Sequence, residues 1–154
     1  MSEPAQSQQP QFQIEKLYVK DLSLEVPNAP SVFMQVDNPQ LEVQVRSEAK
    51  QFADAMYDVV VTVTVTARSG EKTIFLAEVA QAGIFAIRGV PQEDLDPLLG
   101  IGCPTILYPY VREAVSDLVT RAGFPPVVLA PISFEQIYME RKQQAAGAKI
   151  EVAQ

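Results

Sequence analysis

Asp21 and Glu25 lie in an alternating stretch, Asp21-Leu22-Ser23-Leu24-Glu25-Val26. In an extended chain that spacing puts both carboxylates on one side and the apolar residues on the other. Two carboxylates flanking a cleft can serve as acid and base on a glycosidic bond, but these project from the solvent side of a strand. Glu78 shares a strand face with Leu76 in a second extended stretch, so carboxylates and a large apolar side chain occur together. Such a patch is either a solvated face or a surface that docks a basic segment, and periodicity leaves both readings open. The other candidate is Cys103, in Gly102-Cys103-Pro104-Thr105 just ahead of a helical pattern. A helix N-terminus can lower a thiol pKa and make it nucleophilic.

What is missing decides against catalysis. The 154 residues include no His, which removes the usual proton shuttle and the base of Ser-His and Cys-His pairs. One Cys in the whole chain makes neither an internal disulfide nor a multi-thiolate zinc site, so Cys103 reads as a structural, semi-buried thiol. Neither GxGxxG nor GxxxxGK occurs, so no nucleotide loop is visible. The expectation is a protein that is not an enzyme, with no cofactor and no metal. Twelve Lys and Arg against 19 Asp and Glu give a formal charge of −7, which argues against nucleic acid, whose phosphates need cationic partners.

The elements that would hold these residues follow from the hydrophobic pattern. Met1 to Gln11 is polar and Gln-rich, with neither the basic nor the apolar region of a secretory signal, and is expected to be a flexible tail. Phe12 and Ile14, then Leu17 and Val19, then Leu22 and Leu24 alternate, with two parity changes that predict bulges or bends in a long first strand. Pro27 and Pro30 end it. The next alternation is Leu41, Val43 and Val45, too far along for a tight hairpin, so a long crossover should join strands one and two. That second strand reads as short and half-buried. Tyr57 to Thr66 alternates valine with threonine, a strong strand signal, and Arg68-Ser69-Gly70-Glu71 turns it back into Thr73 to Ala80. Gly83 reads as a bulge or kink.

Beyond Gly89 the period becomes helical. Pro91 to Leu99 allows one or two turns, broken at Gly100-Ile101-Gly102. Leu107, Val111, Val115, Leu118 and Val119 then predict a helix over Thr105 to Arg121. Ser133 as N-cap and Gln136 at the capping-box position start a last helix, expected to end at Gly147, with 147–154 a second flexible tail. The order is α+β, a four-stranded antiparallel sheet followed by two helices. No window approaches ~20 apolar residues, so membrane insertion is not expected, and one unpaired thiol suits a reducing cytoplasm. Val32, Phe33, Met34 and Val36 in the crossover, and the Phe124 to Phe134 connection, are oily for loops. They either plug the edge of the core or line an exposed groove.

Four stretches carry a resemblance. Lys20-Asp21-Leu22-Ser23-Leu24-Glu25-Val26-Pro27-Asn28-Ala29-Pro30 resembles the first-strand signature of the SecB protein-export chaperone family. So do Phe75 to Phe85 (FLAEVAQAGIF), Cys103 to Glu113 (CPTILYPYVRE), and Gly123-Phe124-Pro125 through Leu129-Ala130-Pro131-Ile132-Ser133-Phe134. The matches are collinear from about Phe12 to Gln144, and 12–146 is taken as the chaperone domain.

The resemblance implies a cytosolic, ATP-independent holdase that keeps precursor proteins unfolded and passes them to the SecA motor. It implies a homotetramer, a dimer of dimers in which first strands pair and the long helices are sandwiched between sheets. It places SecA contacts on Asp21, Glu25, Leu76 and Glu78, any zinc belonging to the partner. It places client contacts on Val32, Phe33, Leu41, Val43, Val45, Phe124, Phe134, Ile137 and Tyr138. One departure is Asp37, where the family often has a tryptophan; the chain has no Trp, which implies a weaker or differently shaped groove. The competing expectations are a specialised chaperone for a single client, such as an antitoxin, and a small-ligand carrier using the same groove.

Overall fold

The computed structural model describes residues 9–34 and 38–152, with side chains to 145. Met1 to Gln8 of the expected tail, Val36 and Asp37 lie outside the described residues. Four strands, β1 (Gln11–Glu25), β2 (Gln40–Ala53), β3 (Met56–Ser69) and β4 (Lys72–Arg88), form an antiparallel sheet in the order β1-β4-β3-β2. β1 and β2 are therefore the two edges, and the connection between them joins opposite sides of the sheet. Helices α1 (Gln92–Pro97), α2 (Cys103–Arg121) and α3 (Phe134–Val152) follow.

The parity changes in β1 are real. Its pairing with β4 shifts between Ile14 and Lys16 and again between Val19 and Asp21. The reason is visible in the partners: Phe12 faces Ile87, Ile14 faces Phe85, Leu17 faces Gly83, Val19 faces Gln81, Leu22 faces Val79 and Leu24 faces Ala77. Residues directly opposed across a ladder share a face. The two bulges thus keep these six apolar residues of a long, bent strand on one face.

That face carries the core. Val59, Val61, Val63 and Val65 of β3 are fully buried, as are Val79 and Phe85 of β4, beneath Leu107, Val111, Val115 and Val119 of α2. The four α2 residues recur every four positions, so one helical stripe covers the sheet.

Four expectations are corrected. β4 runs through Gly83 with no register shift there. Glycine is needed because a Cβ would stand 2.8 Å from the Phe85 ring and 3.0 Å from Leu107, so the ring two residues along β4 and the leucine of α2 together exclude a side chain. β2 is a long strand of 14 residues, mostly exposed; its polar second half has no alternation and is held by pairing with Tyr57 to Val61. Gly100-Ile101-Gly102 is no break, since Leu98–Gly102 forms a π-helical turn joining α1 to α2. Finally, α3 continues through Gly147 to Val152. Ser133 does cap it, its Oγ accepting from the Gln136 amide at 3.2 Å.

Candidate functional site

The sheet presents two chemically different faces. On the face away from α2, Glu25 stands directly opposite Leu76 and Ser23 opposite Glu78, with Asp21 opposite Ala80. Asp21, Glu25, Leu76 and Glu78 therefore gather on adjacent strands of one surface. Asp21 and Glu25 are exposed, and Leu76 and Glu78 half-buried. The Glu78 carboxylate is held in place. Thr64 Oγ1 donates to its Oε1 at 3.0 Å, and Arg46 Nη2 lies 3.9 Å from the same atom.

Farther along this face lies a cluster that strand periodicity did not disclose. Tyr18 packs on buried Val60, Ala80 and Ala82, and its hydroxyl donates to Asp58 Oδ1 at 2.6 Å, while Lys20 Nζ pairs with Oδ2 at 3.1 Å. The hydrogen bond to the Asp58 carboxylate, with burial and the Asp58 charge behind it, pushes the Tyr18 phenol up from 10.0 to about 12. Only the register of β1 against β4, with its second bulge, and of β4 against β3 brings these residues together.

On the α2 side, apolar surface remains uncovered at both sheet edges. Phe33, Leu41 and Val43 are 47%, 48% and 43% exposed. Leu41, Val43 and Val45 lie opposite Ala67, Val65 and Val63, so they extend the core face outward beyond α2. Phe33 stacks on Phe124 with ring centroids 5.2 Å apart, and Phe124 meets Phe75 at 5.1 Å. An added Cβ at Gly123, whose φ is +94°, would press on the Phe33 ring at 3.2 Å. The crossover is thus pinned to the segment after α2 by an aromatic stack with one ring still open to solvent. Val45, Phe124 and Ile137 are half-buried against the core.

Two expected groove residues are not on the surface. Val32 and Phe134 are buried in the core, Phe134 against the Tyr108 ring at 5.8 Å. They form a floor and present nothing to a ligand. Conversely, Met34 and Val128 are 84% and 82% exposed, more open than any residue expected in the groove; their place in oily connections was the available signal. Tyr138 is half-buried: its ring lies on Gly100, where a Cβ would come within 2.6 Å, and its hydroxyl donates to Asp96 Oδ2 at 2.6 Å.

Cys103 is fully buried, and burial pushes its thiol up from 9.0 to about 12. That is the reverse of the activation a helix N-terminus can supply, because desolvation of the thiolate wins. Among the described residues, no three of His, Cys, Asp and Glu are grouped so as to hold a metal ion, and no helix is long and apolar enough to cross a membrane.

A family model described as "Preprotein translocase subunit SecB" matches residues 5–145. Similar proteins include the "Protein-export protein SecB" of Dechloromonas aromatica, 58% identical over 147 residues that make up 96% of this chain and 97% of that one. The protein of the same description from Chromobacterium violaceum is 60% identical over 143 residues, 93% of this chain and 95% of the other. Among solved structures, a SecB-like chaperone of Mycobacterium tuberculosis in complex with a peptide from an antitoxin superposes with a TM-score of 0.65 over 79% of this chain and 90% of that one, at 20% identity. At that identity the likeness is one of fold.

Proposed function

This chain belongs to the SecB family and is a chaperone of protein export, and from that premise we propose how its two faces divide the work. The α2-side surface acts as an ATP-independent holdase for unfolded precursors. The acidic face delivers them to the SecA motor in the cytoplasm. The observation that carries the first half is the apolar surface left open at Phe33, Leu41 and Val43, continuous with the core. Exposed apolar patches of this kind mark binding sites on soluble proteins. Burying them contributes about 25 cal/mol per Å², so a single short client segment binds weakly.

Assembly multiplies that weak contact. β1 is an edge strand whose Phe12, Ile14, Val19 and Leu22 are exposed on the same face as the core, and exposed edges of this sort recruit another chain. This supports a homotetramer in which first strands pair. A client wrapped over four subunits gains roughly 10² to 10⁴ in avidity. The SecA reading is supported by the convergence of Asp21, Glu25, Leu76 and Glu78 on one surface, acidic for a basic segment and with an apolar centre. The identity of 58–60% to protein-export proteins, against 20% to the binder of an antitoxin peptide, supports broad client choice over a single dedicated client.

The test is refolding of a reduced, urea-unfolded precursor diluted into equimolar tetramer. Refolding should slow at least severalfold, and an unchanged rate overturns the holdase reading. In size-exclusion chromatography the protein should co-elute with SecA, and Glu78→Lys should abolish this. Co-elution that survives Glu78→Lys would reject the acidic face as the docking surface.

A further inference from the structure

The first half of α3 is fastened at three points of different character. Phe134 is sunk in the core. One turn on, the Tyr138 ring lies on Gly100 of the π-turn and its hydroxyl donates to Asp96 Oδ2 at 2.6 Å, with Lys142 Nζ 4.9 Å above the ring. Nearly one turn further, Arg141 Nη2 donates to the backbone oxygen of Ser47 at 3.2 Å. The third contact is the unusual one, because Ser47 lies in β2, an edge strand.

In an antiparallel pair, backbone groups alternate between pointing at the neighbouring strand and pointing away. A Ser47 carbonyl that serves Arg141 points off the free edge. By the two-residue alternation, the N–H and C=O groups of Val45, Val43 and Leu41 point the same way. These are the residues whose side chains carry the open apolar surface. An extended polypeptide pairing along this edge would satisfy those groups in turn and then meet Arg141 occupying the acceptor at Ser47.

We propose that Tyr138–Asp96 and Arg141–Ser47 form a clasp that seats α3 across the β2 edge. An extended client then occupies the edge only as far as Val45 until the clasp is released. Tyr138 and Arg141 are thus positioning residues that set where a client segment ends and how fast a longer one is admitted. This rests on the holdase reading above, but the clasp has a signature of its own in the unliganded protein. Both bonds are exposed, so they are weak enough to open and close, as a gate must be.

The experiment compares the intact oligomer with Tyr138→Phe, Asp96→Ala, Arg141→Met and Arg141→Lys. Tyr138→Phe keeps the ring on Gly100 and deletes only the donor; Asp96→Ala breaks the same bond from outside the groove. Hydrogen exchange without client should rise roughly three- to tenfold in peptides spanning 134–145, the factor for losing one ordinary hydrogen bond. It should stay unchanged in β3 and β4. The association rate of an unfolded precursor, read by stopped-flow fluorescence of a labelled client, should rise by a similar factor. Arg141→Lys, which retains a donor, should restore both. Unchanged exchange in 134–145 for all three disruptive variants overturns the clasp. Raised exchange with an unchanged association rate overturns its gating role. Should the wild type itself capture no client, the holdase reading and the gating role fail together, while the exchange data still judge the clasp.

Discussion

At the scale of single residues, the fold holds the protons of two titratable groups, a thiol and a phenol, more tightly than water would. Cys103 loses its thiolate to burial, and Tyr18 has its proton locked in a bond to Asp58; both stand near 12, raised from 9.0 and 10.0. A group whose folded pKa exceeds its unfolded value holds its proton more tightly when folded. Its contribution to stability is therefore complete below the unfolded value and disappears as pH climbs through the folded one. Native Cys103 should resist alkylation at pH 8 and react at once in denaturant; rapid labelling of the folded protein would refute this. The urea midpoint should fall between about pH 9 and 12, and Tyr18→Phe should flatten that decline. An identical pH slope in the variant would show that Asp58 does not hold the phenol. The carboxylates carried the opposite message. Asp21 and Glu25 were legible as a pair from alternation alone, but the placing of Glu78 between Thr64 and Arg46 needed the cross-strand register.

At the scale of elements, alternation was a reliable guide wherever one face was buried, and failed where burial was absent or total. β1 shows the success: two changes of parity in six apolar residues located both bulges, because a missing bulge would have thrown half the strand's apolar side chains into water. β2 shows the first failure. Its Ser47 to Ala53 half is largely exposed yet stays paired with β3, and backbone hydrogen bonds leave no trace in side-chain pattern. Gly83 shows the second, since its reason is the Phe85 ring and Leu107, a neighbour 24 residues away that no local signal reveals. Gly83→Ala tests that reason. Phe85 and Leu107 are fully buried, so neither can give way cheaply, and overpacking of this kind costs about 1–3 kcal/mol. In a domain of this size that is a fall in Tm of roughly 3–10 °C. A change below about 1 °C would mean that α2 shifts freely over the sheet, contrary to the packing described.

At the scale of the whole molecule, the sheet works as a partition. One face is apolar, partly roofed by α2 and left open at its flanks; the other carries charges of both signs, with the carboxylates Asp21, Glu25 and Glu78 gathered at one end and Arg46 and Lys20 among its cations. Interaction energies at sites with no shared side-chain partner add nearly independently, so the two proposed binding activities should separate cleanly. Leu41 and Val43 are each about half exposed, so a client can bury roughly half of each side chain, worth about 1 kcal/mol apiece. Leu41→Ser with Val43→Ser should then weaken capture of a single-segment peptide about thirtyfold, while SecA co-elution persists. Glu78→Lys should do the reverse, holding clients with unaltered affinity and failing to deliver them. The peptide loss should grow with the number of subunits a client spans, since each bound segment loses the same increment before avidity compounds it. Fluorescence anisotropy with a short peptide and with a full-length unfolded precursor measures both limits. If the double serine variant bound the long client as tightly as the wild type, the β2 flank would not be part of the groove. If it also lost SecA, the two faces would be coupled through the sheet, and the partition would have to be given up.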